Sequence, residues 1–96
     1  MKISEFNTLL DQDAVPNELS PVLQALWHEA KGNWDEAHQL AQSQRDQVGY
    51  WVHAHLHRVE GDDANAGYWY RRSGKPHSSA PLQSEWEEIV SALLPG

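Results

Sequence analysis

Residues 25–37, ALWHEAKGNWDEA, and residues 54–66, AHLHRVEGDDANA, decide the fold because they match each other at an offset of 29 positions. Gly32 aligns with Gly61, and a residue that caps helix N-termini well, Asn or Asp, follows each glycine. Each stretch therefore predicts one helix, a tight turn and a second helix. Neither hairpin could bury its apolar stripe alone, so we expect two stacked hairpins that share a core.

The chain outside these two stretches predicts one further helix at each end. Apolar residues recur at helical spacing over residues 3–10, and the most regular stripe of the chain lies near its C-terminus. The sequence thus predicts a single all-α domain over residues 1–96, with about five helices. Two repeat-like hairpins would cover residues 19–44 and 47–73. A closing C-terminal helix would cover residues 81–94.

One segment also fits a strand. Residues 50–57, YWVHAHLH, alternate between two faces as a strand would. No other alternating run of that length is present to pair with it, and the pair Gly61-Asp62 matches the pair Gly32-Asn33 that follows an evident helix. These two observations favour a helix over residues 47–60.

The repeated residues resemble a known family. Ala25, followed after six residues by Gly32-Asn33-Trp34-Asp35-Glu36-Ala37, resembles the tetratricopeptide signature; Ala54, Gly61-Asp62, Ala66 and Tyr70 repeat it. Residues 66–72, AGYWYRR, also look like the second helix of Sel1-type repeats. The whole chain is similar to a group of small uncharacterised bacterial proteins. The resemblance implies stacked helical hairpins and brings no activity with it, and the period of 29 is shorter than the usual ~34.

Composition narrows the function classes. The chain has 96 residues, 40% of them hydrophobic, with five Trp, so it can form one modest core. Cysteine is absent, which excludes disulfides and thiolate metal sites. A net charge of −7 disfavours nucleic acid and anionic lipid as partners. Because no apolar run approaches a membrane span and no signal peptide is evident, we expect a cytoplasmic protein without a membrane partner.

The six histidines raise the possibility of a metal site. On a helix, His53 and His57 stand at positions i and i+4, a spacing that can chelate one ion. His55 lies about 200° around that helix from His53 and cannot join them. The candidates for a third ligand are His28, His38 and Glu29. The sequence favours structural or surface histidines, with no metal and no cofactor, and keeps His53 and His57 as an alternative metal site.

No catalytic motif is recognisable in the sequence. Glu85, Glu87 and Glu88 alternate with the apolar stripe of the last predicted helix, so we interpret them as its solvated face. The serines have no Gly-x-Ser-x-Gly context, and neither a phosphate-binding loop nor a dinucleotide glycine motif is present. The sequence therefore predicts that the protein is not an enzyme.

One basic cluster stands out in this acidic chain. Arg71, Arg72 and Lys75 follow one another near the end of a predicted helix, where cations are stabilised by the helix dipole. The alternative to this structural role is an anion-binding site, for an acidic segment or a carboxylate terminus of a partner.

In a tetratricopeptide-like geometry, the first helices of the two units would line a concave face. We predict Glu29, Trp51, His55 and Arg58 as its partner-binding residues, because a Trp beside His and Arg is typical of recognition surfaces. The alternative is that the terminal helices simply cover this face. The predicted function is a non-catalytic module for a protein or peptide partner. The alternative function is binding of a metal or small ligand, centred on the His-rich helix at residues 53–57.

Overall fold

A computed structural model describes residues 1–95 and contains six α-helices and no strand within that range. The helices are α1 (Ile3–Leu9), α2 (Pro21–Ala30), α3 (Trp34–Ser43), α4 (Gln47–Val59), α5 (Asp63–Ser73) and α6 (Leu82–Leu93). The all-α class is confirmed, and residues 50–57 lie in α4. The predicted number of about five helices is close to the six that are present in this range. The predicted domain bound at residue 96 lies outside the described residues.

The helix ends follow the local sequence. Ser20, Asp46 and Asp62 are N-caps whose side chains accept hydrogen bonds from backbone N–H groups of the first helical turn. Asn33 occupies the N-cap position of α3 but makes no such side-chain bond. Gly32 and Gly61 end the first helix of each pair with φ of 83° and 89°, a left-handed conformation that glycine adopts without steric cost.

Helix α4 lies at the centre of the packing. It contacts α2, α3, α5 and α6, and the most extensive contacts of the fold join α4 to α5 and α2 to α3. Ala37 and Ala66 are fully buried, as are Leu26, Leu56 and Ile89. The helices that surround α4 therefore all contribute residues to one core, which is not confined to a single helix pair.

Three buried or half-buried tryptophans tie helices together through their indole N–H groups. Trp27 donates to the Leu9 carbonyl at 2.9 Å, Trp34 donates to Leu56 at 2.7 Å and Trp86 donates to Leu26 at 3.0 Å. Each ring buries a large apolar area while its one polar atom is satisfied. Together they fix α1 on α2, α3 on α4 and α6 on α2.

Within residues 1–95, no helix has both the length and the apolar character that crossing a membrane requires.

Candidate functional site

Helices α3 and α4 bring three histidines together. His53 and His57 lie one turn apart on α4, and His38 reaches them from α3. One ligand nitrogen from each of the three lies within 4.8 Å of the others, and Nε2 of His38 is 2.9 Å from Nε2 of His53. We call His38, His53 and His57 the histidine cluster. The alternative metal pair predicted from the sequence is thus joined by one of its three candidate third ligands.

The surroundings of His38 and His53 favour the uncharged form of these two rings. Burial, together with the neighbouring His38 and His57, lowers the pKa of His53 to about 4. Burial and His57 also lower the pKa of His38, outweighing the opposite effect of Glu60 and Asp35. Neutral imidazole is the form that binds a metal ion, so little proton release would oppose binding at neutral pH.

Two tryptophans hold the cluster rings in place. The ring of Trp34 stacks on His38 with centroids 4.8 Å apart, and the ring of Trp69 stacks on His53 at 4.0 Å. Trp34 is itself anchored by its hydrogen bond to Leu56. A ring held between packed aromatic neighbours loses little further freedom when it binds a ligand.

A carboxylate fixes the third ring. Nδ1 of His57 donates to Oε1 of Glu60 at 2.5 Å. This contact leaves Nε2 of His57 as the nitrogen that could bind a metal. Metal-binding histidines commonly donate their second ring nitrogen to a carboxylate in this way, which sets the tautomer and orients the ring.

The distance between His38 and His53 is close to that between two ligands of a zinc ion. Zinc binds histidine nitrogen at 2.0–2.1 Å, so two ligands of a tetrahedral ion stand about 3.3 Å apart. The 2.9 Å between His38 and His53 would have to widen by only about 0.4 Å, a change within reach of small side-chain rotations. Three protein nitrogens would leave one coordination position open.

A cavity of about 300 Å³ adjoins the cluster and shares His53 with it. Its walls include Tyr50 and Trp69, and two arginines, Arg45 and Arg72, contribute positive charge. The Arg72 guanidinium lies 4.4 Å from the centroid of the Tyr50 ring and 5.1 Å from that of Trp69. The cavity therefore combines an aromatic wall with a positively charged rim.

The four predicted partner-binding residues lie elsewhere and are largely covered. Trp51 is 6% exposed and His55 is fully buried, whereas Glu29 and Arg58 are half-buried. Helix α6 packs against α4 and α2 over this face. The structure thus shows the arrangement given as the alternative to a concave face, in which a terminal helix covers these residues; that they bind a partner stays a prediction.

Three of these four residues form a charged network with α6. His55 Nδ1 donates to Oε1 of Glu85 at 2.7 Å, and His55 Nε2 lies 2.8 Å from Oε1 of Glu29. Arg58 Nη1 also donates to Glu85 Oε1, at 2.7 Å, and the Tyr70 hydroxyl donates to Oε2. We call Glu29, His55, Arg58, Tyr70 and Glu85 the ion-pair network.

Charge pairing in this network offsets the cost of burial. Burial alone lowers the pKa of His55, but hydrogen bonds and charges of Glu29 and Glu85 outweigh it and raise that pKa to about 9. For the carboxyl group of Glu85, burial alone raises the pKa. Hydrogen bonds from His55, Tyr70 and Arg58 outweigh this effect and lower the pKa. His55 is therefore charged at neutral pH and holds three helices together.

The interpretation of Glu85 as a solvated residue is wrong. It is 1% exposed, whereas Leu82, an apolar residue one turn earlier in the same helix, is 40% exposed. Glu87 and Glu88 are exposed as predicted. The position of Glu85 in the sequence could have indicated its burial, because Glu85 stands one turn before Ile89, on the buried side of the helix.

The three cations of the predicted anion site are not brought to one place. Arg72 lines the cavity beside the histidine cluster. Arg71, which does not line it, is exposed. The Lys75 ammonium lies over the Trp51 ring, 4.4 Å from its centroid.

No protein-family model, curated protein or solved structure matches the chain. The tetratricopeptide resemblance therefore stays a prediction.

Proposed function

We propose that this protein binds a divalent transition-metal ion, with Zn²⁺ as the first candidate, through His38, His53 and His57. The observation that carries this proposal is the convergence of three ring nitrogens within 4.8 Å from two different helices. This is the alternative function of the sequence analysis, and it is a binding function, in keeping with the prediction that the chain is not an enzyme.

Three further features support metal binding. The lowered pKa values of His38 and His53 favour the neutral rings, each of which has one nitrogen with a free lone pair. The carboxylate of Glu60 orients His57 and supplies a compensating negative charge. Tryptophan rings stacked on His38 and His53 restrict their rotation before any ion arrives.

We propose a tetratricopeptide-like scaffold for this site, in a bacterial cytoplasmic protein. The extensive contacts within the pairs α2–α3 and α4–α5, together with the contact of α3 with α4, support two stacked hairpins. In that arrangement the histidine cluster lies where the second helix of one hairpin meets the first helix of the next.

Binding of a protein or peptide partner is the second proposal. His55 and Arg58 already bind a carboxylate, Glu85, which belongs to α6. An acidic partner segment would therefore have to displace α6 to reach His55, which is fully buried, whereas Arg58 is half-buried.

Calorimetric titration with Zn²⁺ at pH 7.5 tests the metal proposal. We expect one ion per chain and a dissociation constant of about 1 μM or tighter, which corresponds to about −8 kcal/mol. His38→Gln, His53→Gln and His57→Gln should each weaken binding at least tenfold while the helical circular dichroism is retained.

The matched control is His77→Gln, because His77 is bonded to Asp63 and lies outside the cluster. It should bind Zn²⁺ as the wild type does. His38→Gln is the decisive variant, since a second grouping, His57, Glu60 and Asp62, lacks that residue. A wild-type dissociation constant weaker than about 100 μM, or wild-type affinity in His38→Gln, would overturn the proposal.

A further inference from the structure

The cavity beside the histidine cluster has the composition of an anion site. Arg45 and Arg72 contribute to its wall, and within residues 1–95 no carboxylate oxygen lies within 4.0 Å of either guanidinium. An arginine without an acidic partner keeps its hydrogen-bond donors available for an external ligand.

Aromatic rings fix the position of Arg72. Its guanidinium lies over Tyr50, at 4.4 Å, and near Trp69 and Tyr68, at 5.1 and 5.8 Å. It also reaches the hydroxyl of Tyr50 at 3.3 Å and that of Tyr68 at 3.4 Å, both long contacts. A guanidinium held by stacking rather than by a carboxylate is pre-oriented and still unneutralised, which suits it to bidentate binding of an oxyanion.

The cavity and the histidine cluster share His53. Three neutral histidines do not reduce the double positive charge of a bound metal ion, and Glu60 offsets only part of it. Arg45 and Arg72 add to the positive potential on the cavity side. Both the open coordination position and the local charge therefore favour a negatively charged fourth ligand.

We infer that a small molecule carrying a carboxylate or phosphate group occupies this cavity, with one oxygen on the metal ion and the others on Arg72 and Arg45. The inference rests on the proposed metal site. The volume of about 300 Å³ is at the lower end of ligand pockets, so the ligand is of metabolite size rather than a peptide. The rings of Tyr50 and Trp69 provide an apolar surface for its remaining atoms.

Cobalt substitution tests this inference and the metal proposal separately. Co²⁺ bound by the histidine cluster gives visible d–d absorption, whose intensity and position report the coordination number and the ligands. We expect inorganic phosphate and benzoate, titrated one after the other into the Co²⁺ protein, to change this spectrum with saturation in the millimolar range or below. Phosphate tests the charge requirement alone, and benzoate adds contact with the aromatic wall.

Arg72→Gln should raise the dissociation constant of both anions at least tenfold without changing Co²⁺ affinity. Arg71→Gln is the matched control, because Arg71 has the same charge and the same helix but does not line the cavity. An unchanged spectrum with both anions, or equal anion affinities in Arg72→Gln and Arg71→Gln, would overturn the anion site and leave the metal site standing. Absence of Co²⁺ binding in the wild type would overturn the metal proposal and this inference with it.

Discussion

His53 and His55 stand two residues apart on α4 and face opposite surroundings. His53 meets two other histidines and the flat ring of Trp69, and its pKa is lowered to about 4. His55 lies between the carboxylates of Glu29 and Glu85, and its pKa is raised to about 9. Both rings are buried, so burial alone does not decide their charge.

The difference lies in what the neighbouring helices supply. Helices α2 and α6 bring carboxylates to one side of α4, and these keep His55 charged at neutral pH, where it joins three helices. Helix α3 brings another histidine, His38, to the opposite side, where burial and neighbouring histidines lower the pKa values of His38 and His53. The ion-pair network therefore stabilises the fold, whereas the rings of the histidine cluster are available for the proposed metal binding.

The largest effect should come from the centre of the ion-pair network. Replacing Glu85 by Gln removes the charge that neutralises both His55 and Arg58, and leaves buried positive charge without its partner. We expect the free energy of unfolding to fall by about 3 kcal/mol or more. Urea denaturation at pH 7, followed by circular dichroism, measures this change.

Glu87→Gln provides the control on the same helix, since Glu87 is exposed. Its unfolding free energy should stay within about 0.5 kcal/mol of the wild type. If the two variants were equally stable, the contacts of Glu85 would not hold α6 on α4.

The next largest effect is a dependence of stability on pH. The raised pKa of His55 means that its contribution is complete below pH 6.5 and is lost as the pH rises toward about 9. Glu29, Glu85, Arg58 and Tyr70 surround the charged ring or its partners. We expect the metal-free protein to lose roughly 1–3 kcal/mol of unfolding free energy over this interval.

Nuclear magnetic resonance titration in the presence of a chelator checks the cause. It should give His55 a pKa near 9 and His53 a pKa near 4. The variant His55→Gln lacks the titrating group, so its stability should vary less between pH 7 and 9. A stability that rises over this interval in the wild type would contradict the assignment of a charged His55.

Much of the fold could be predicted because its signals are local. Ser20 followed by Pro21, the glycines at positions 32 and 61, and the apolar stripes set most helix boundaries to within a few residues. Residues 50–57 could be assigned to a helix rather than a strand, because a strand needs a second strand to pair with and a helix does not. The helices at both ends, α1 and α6, were predicted, and the count of about five was close to the observed six.

The site was harder to predict because its contacts join distant parts of the chain. The spacing of His53 and His57 identified two members of the cluster, but the choice among three candidates for the third required the packing of α3 on α4. The burial of Glu85 was not predicted, because a charged side chain usually indicates exposure even where the helical position indicates the buried side. A carboxylate can be buried when cations meet it, and those cations lie about 30 residues away.

The smallest effect on stability should accompany a clear effect on metal binding. Replacing Glu60 by Gln keeps an acceptor for the Nδ1–H of His57 but removes the charge, and Glu60 is exposed. We expect an unfolding free energy within about 0.5 kcal/mol of the wild type and a Zn²⁺ dissociation constant raised about tenfold. Glu36→Gln, an exposed change on α3, controls for net charge and should alter neither quantity. Equal Zn²⁺ affinities in the two variants would mean that Glu60 does not act on the metal through His57. Unequal Zn²⁺ affinities, together with a large loss of stability in Glu85→Gln, would show that the carboxylates on the two sides of α4 have different roles. Glu85 holds helices together, whereas Glu60 affects metal binding through His57.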